Sequence, residues 1–132
     1  MRRVALLFAC LMLLAGPAMA TSEFSKQWKN AHLKIDDVDE DFKKAASKAS
    51  CNICHIKGHP DKKKVRNEYG NAVGKYLKEK DFPKDWVKDN PEEAQKKIYE
   101  GFKKAAEHES ADGKKFGDKI KNNELPATDA GL

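Results

Sequence analysis

Methionine is confined to the first 19 residues of this chain, as Met1, Met12 and Met19. Anything further along that would use a thioether sulfur has to do without one. Cysteine is almost as scarce. Cys10, Cys51 and Cys54 are the full complement, too few for a scaffold built on disulfides. Arginine occurs only as Arg2, Arg3 and Arg66 among 26 basic residues, so the positive charge is almost all lysine, a solvated point charge. No segment alternates convincingly as a strand would, which sets aside thioredoxin-like folds and others that interleave strands with helices. There is no low-complexity linker and no clear internal repeat, which leaves a single domain. Only one long apolar run is present, at the start of the chain.

That run, MRRVALLFACLMLLAGPAMA, has a basic beginning, an apolar middle and a small-x-small ending at Ala18, Met19 and Ala20. The pattern predicts a secretory signal peptide over residues 1–20, cleaved between Ala20 and Thr21. It is too short and wrongly flanked for a lasting membrane span. A lipoprotein anchor at Cys10 is the alternative, but Phe8 fits a lipobox poorly. Cleavage leaves residues 21–132 as one domain in the periplasm or outside the cell. It removes two basic residues and no acid, lowering the net charge from +5 to +3. A charge this small on an exported domain argues against a nucleic-acid partner.

The remaining chain is lysine-rich and reads as helices. Ser22 is placed to cap a first helix with Phe24, Trp28 and Ala31 or Ile35 at helical spacing. The acidic stretch DDVDED starts a second. Its stripe of Val38, Phe42, Ala45, Ala46 and Ala49 leads directly into Cys51-Asn52-Ile53-Cys54-His55. KGHPDKKK is a loop, and a third helix is expected over about Val65–Lys80, with Gly70 and Gly74 four apart on one side. Those glycines suggest the close approach of another backbone or of a flat ligand. DFPKDWVKDN reads as irregular. Asn90, Pro91, Glu92 and Glu93 give the clearest helix start in the chain, followed by a stripe of Ala94, Ile98, Phe102, Ala105 and Ala106. A turn at Asp112 and Gly113, a short helix over Phe116–Ile120 and a polar tail complete the chain.

CNICH carries the chemistry. Two thiols three positions apart on a helical turn can each add to a haem vinyl group, and His55 can then bind the iron as proximal ligand. Export fits this, because covalent haem attachment takes place outside the cytoplasm. A disulfide between Cys51 and Cys54 closes so short a loop that it contributes little stability. Zinc is the stronger rival, with Cys51, Cys54, His55 and His59 as potential ligands. Adjacent Cys54 and His55, however, do not readily share one tetrahedral ion with Cys51. A covalent haem would also give a highly charged chain an apolar plate for Phe42, Tyr69, Tyr76, Trp86 and Phe102 to pack on.

CNICH after an amphipathic helix, then RNEYGNAVGKYL and DGKKFGDKIKNNELP, resembles the small exported monohaem c-type cytochromes over about residues 40–126. The resemblance implies an all-α fold, a cytochrome c-like arrangement of short helices around one covalently bound haem c. It also implies single-electron transfer, with Cys51, Cys54 and His55 carried over residue by residue. The departure is the sixth iron ligand, a methionine in familiar members. With none left after cleavage, His108 or His32 is the candidate distal ligand, ahead of His59, whose four-residue reach of roughly 14 Å is strained. Lysine, water or an empty position are the other options.

With six protein ligands the domain is an electron carrier rather than an enzyme. With an open sixth position it is a five-coordinate haem protein, a small-ligand sensor or peroxidase-like catalyst, and a zinc-binding module comes third. Arg66 is expected to contact a haem propionate, and Lys62, Lys63 and Lys64 to steer an acidic redox protein partner. The oligomeric state cannot be read from the sequence.

Overall fold

A computed structural model describes residues 18–61 and 64–132. The apolar run, Cys10, Lys62 and Lys63 therefore lie outside the described residues, apart from Ala18–Ala20, which open the first helix. Every regular element among the described residues is helical: α1 (Ala18–His32), α2 (Glu40–Ala49), α3 (Glu68–Tyr76), α4 (Lys84–Asp89), α5 (Pro91–Ala106) and α6 (Phe116–Lys121). Two short 3₁₀ turns, Ser50–Ile53 and Glu79–Asp81, join them. The all-α expectation holds. No described helix is long and apolar enough to cross a membrane.

Helix α5 is the centre, and α1, α3, α4 and α6 all pack on it. Pro91 opens it and Glu92 and Glu93 fill its first turn, where acids meet the positive end of the helix dipole. Asn90 does not cap with its side chain; its Nδ2 donates back to the Trp86 carbonyl at 3.0 Å. Ala94, Ile98, Gly101, Phe102 and Ala105 are buried along one stripe, and sealing Ile98 and Phe102 contributes roughly 1.5–3 kcal/mol each. Gly101 admits Leu77, whose Cδ2 would lie 2.3 Å from a β-carbon there.

Several boundaries differ from the sequence reading, each for a local reason. Helix α1 begins at Ala18, across the expected cleavage point, so Ser22 lies inside it rather than at its cap. It ends at His32 and leaves Ile35 exposed. Helix α2 starts one residue after Asp39, whose carboxylate accepts from the N–H groups of Asp41 and Phe42. Helix α3 is shorter than Val65–Lys80, because Asn67 caps it and Leu77 turns extended to enter the core. The stretch read as irregular contains α4, which leads into α5 through Asn90.

The polar tail is docked. Lys57 N–H donates to Ala130 O at 2.7 Å, and Glu68 N–H to Asp129 at 2.9 Å. The Glu68 carboxylate accepts from Ser110, the Ala111 N–H and both the N–H and hydroxyl of Thr128.

Candidate functional site

The 3₁₀ turn Ser50–Ile53 continues α2, with Ser50 at φ +48° marking the change of direction. The N–H groups of Cys54 and His55 both donate to Cys51 O, at 3.2 and 3.0 Å, which winds CNICH into a compact turn. Ile53 anchors it in the core. Cys51 is exposed and Cys54 half-buried, and both are free thiols. Burial pushes the Cys54 thiol up to about 12, against a smaller opposing pull from the Arg66 guanidinium, so it stays protonated at neutral pH.

One buried residue holds this turn from behind. Asn67 has no solvent exposure, and its Nδ2 donates to the carbonyls of Asn52, Ile53 and His55 at 3.1, 2.9 and 3.4 Å. Its backbone N–H donates to Cys54 O at 2.9 Å, and its Oδ1 caps α3 by accepting from Gly70 N–H at 2.8 Å. Sequence reasoning missed this role. The available signal was an asparagine followed by an acid and, three residues on, the glycine it caps.

Gly70 completes the contact. A β-carbon there would lie 2.0 Å from Cys54 O, so α3 rests backbone to backbone on the thiol turn. Gly74 leaves room for Arg66, whose Nη1 would meet a β-carbon at 1.8 Å.

His55 is oriented by its neighbour strand-wise across the loop. It forms an isolated antiparallel bridge with Arg66, and its Nδ1 lies 2.9 Å from Val65 O. A carbonyl can only accept, so Nδ1 carries the hydrogen and Nε2 keeps its lone pair. Second-sphere bonds of this kind set the ring orientation of metal-ligating histidines.

Cys51, Cys54, His55 and Arg66 line one mostly apolar cleft with about 80 Å³ of free space, below the usual size of cofactor pockets, so a macrocycle held here would require the cleft to open. Its other walls come from Phe24, Trp28 and Lys29 of α1, Ile53, Val73, Leu77 and Phe102. Trp28 is fixed by its Nε1–H donating to the Tyr69 hydroxyl at 2.9 Å. Tyr69 is fully buried, and that burial holds its phenol well above the usual range.

No family model, curated protein or solved structure matches this chain. The donor set has to be weighed by its own chemistry. Two free thiols, an imidazole with a fixed tautomer, an apolar cleft and a guanidinium at its edge fit a covalently held haem. A zinc site is poorly served. Among the described residues no three His, Cys, Asp or Glu side chains converge on one point. His59 Nδ1 is occupied, accepting the Asp61 N–H at 3.1 Å.

The remaining histidines stand apart from the cleft lining. His108 Nε2 pairs with the Tyr76 hydroxyl at 2.7 Å. His32 packs against Trp28 and Phe102, with ring centroids 4.8 and 6.3 Å away. Burial lowers its pKa to about 4. Of the residues read as an aromatic plate only Phe102 lines the cleft; Phe42, Tyr69 and Trp86 do not, Tyr76 is 40% exposed, and Phe24 and Trp28, which were overlooked, line it instead.

Proposed function

We propose that the chain is an exported monohaem c-type cytochrome with a cytochrome c-like arrangement of helices, and that it carries single electrons. The observation that carries the reading is the pairing of the Cys51 and Cys54 thiols with an imidazole whose Nδ1–H is tied to Val65 O, all on one apolar cleft. In this reading Cys51 and Cys54 would hold haem c through thioethers, and His55 Nε2 would bind its iron. A bound haem supplies a one-electron iron couple.

The protein's own groups do the rest. Val65 O keeps the His55 ring in one tautomer and one plane, and makes Nε2 a better donor. Trp28, Val73, Leu77 and Phe102 exclude water, which lowers the local dielectric and disfavours extra charge at the site. Arg66, seated over Gly74, is the cation for a propionate. Exposed Lys64, with Lys62 and Lys63, steers an acidic redox protein toward this edge. The signal peptide over residues 1–20 places the domain in the periplasm or outside the cell.

The test is expression of the full precursor in a host that matures c-type cytochromes. A coloured mature protein with a haem c pyridine haemochrome, lost in Cys51→Ser with Cys54→Ser, is the expected result. A colourless, folded, correctly processed product overturns the reading. The second reading, a small-ligand haem protein, is favoured by one observation: His55 is the only imidazole among the described cleft-lining residues.

A further inference from the structure

The described residues contain one buried side-chain nitrogen with no hydrogen-bond partner, Nε2 of His32. Leaving a buried polar atom unpaired costs free energy that folds generally avoid. Its surroundings offer nothing to bond, because the ring is packed on the faces and edges of Trp28 and Phe102. An aliphatic side chain would fill this place without the penalty, so the imidazole has no packing reason to be there.

Its position on α1 supplies a reason. Ser25, Trp28 and Lys29 all line the cleft that holds Cys51, Cys54 and His55. His32 is the next residue of the same helical stripe, three and four positions beyond Lys29 and Trp28. It touches two side chains of the cleft lining, and Phe102 also lines a second cleft that His32 borders. The imidazole therefore sits against the partition between the two. Burial keeps it neutral, the form in which an imidazole binds a metal. The other histidines are committed, which leaves Lys29 as the rival donor on the cleft lining. His108 Nε2 is held by Tyr76 and His59 Nδ1 by the Asp61 N–H, and methionine does not occur beyond Met19.

We propose that His32 is the sixth ligand of the iron, which makes the domain a bis-imidazole electron carrier rather than a ligand sensor. The proposal rests on the haem reading above, and its failure is separable from failure of that reading. A pyridine haemochrome of the mature protein first establishes haem c whatever the sixth ligand is; its absence sinks the haem reading and this proposal together.

The ferric holoprotein is then examined by visible and electron paramagnetic resonance spectroscopy. The expected wild-type signature is low-spin iron with two imidazoles. His32→Ala should give high-spin iron, returned to low spin by added imidazole. His32→Met should stay low-spin with a raised potential, since a thioether favours the reduced iron. A high-spin wild type overturns the proposal, as does a low-spin spectrum left unchanged by His32→Ala; Nε2 would then be met only by a water from the second cleft. Conversion to high spin by Lys29→Ala or His108→Ala, with His32→Ala silent, also overturns it. If His32→Ala does not fold, His32→Gln keeps the volume and polarity, and a high-spin or an unchanged low-spin spectrum decides the same way.

Discussion

The two sides of the cleft are built by different forces. On one side the CNICH turn is held by directed hydrogen bonds, three from the Asn67 amide and one from its backbone N–H. On the other, α1 is held mainly by aromatic packing, with directed bonds from Trp28 to Tyr69 and from Gln95 to Gln27 and an unpaired imidazole beside them. Hydrogen bonds fix positions to a fraction of an ångström, whereas apolar contacts tolerate repacking at modest cost. The thiol side is therefore the rigid one, and the α1 side is the one able to adjust.

The largest expected effect tests the directed side. Asn67→Ala strands three carbonyls and uncaps α3, and should cost about 4 kcal/mol. Urea denaturation measures it, and a loss under about 1 kcal/mol would mean that packing alone sets the turn.

Acid probes the adjustable side. His32 has a folded pKa of about 4 against 6.5 for the free side chain, so the unfolded chain takes up the proton first as pH falls. In protein without haem, where no iron claims the ring, its contribution is complete above pH 6.5 and is lost progressively toward pH 4, by about 3 kcal/mol. His32→Leu should flatten that part of the stability profile, and an unaltered slope would assign the acid loss elsewhere.

The two glycines of α3 sharpen the contrast further. Gly70→Ala drives a β-carbon into the Cys54 carbonyl, backbone that cannot step aside, and should cost about 2 kcal/mol with a lower yield of haem attachment. Trp28→Phe leaves the buried Tyr69 hydroxyl unpaired and should cost about 1.5 kcal/mol in the same denaturation series. Gly74→Ala displaces only the flexible end of Arg66 and should cost under about 1 kcal/mol. Equal losses at Gly70 and Gly74 would contradict the backbone contact.

What could be read from the sequence follows the same division. The turn at CNICH, the α2 stripe apart from exposed Ala45, and the start of α5 at Pro91 rest on neighbours a few positions apart, and they were legible. Gly70 and Gly74 were recognisable as close approaches, though not what approaches them. Asn67 was hidden because its partners lie 12 to 15 residues upstream. The α1 wall depends on α5, more than 60 positions away, as in the Gln95–Gln27 contact with a separation of 68. Periodicity carries no information at that range. The tail looked like solvated chain because its docking uses backbone groups, the Thr128 hydroxyl and the carboxylates of Glu68 and Asp129.

That carboxylate has a consequence for the order of events during biogenesis. Burial raises its pKa, but bonds from Thr128, Ala111 and Ser110 outweigh this and leave it below the ordinary value. It thus remains an anionic clasp for residues 128–130, which also reach back to Lys57 just past the thiol turn. Those residues are synthesised well after CNICH. Until they arrive, the loop beside the cysteines lacks this fastening, so the last residues of the chain complete the setting of a turn made far upstream.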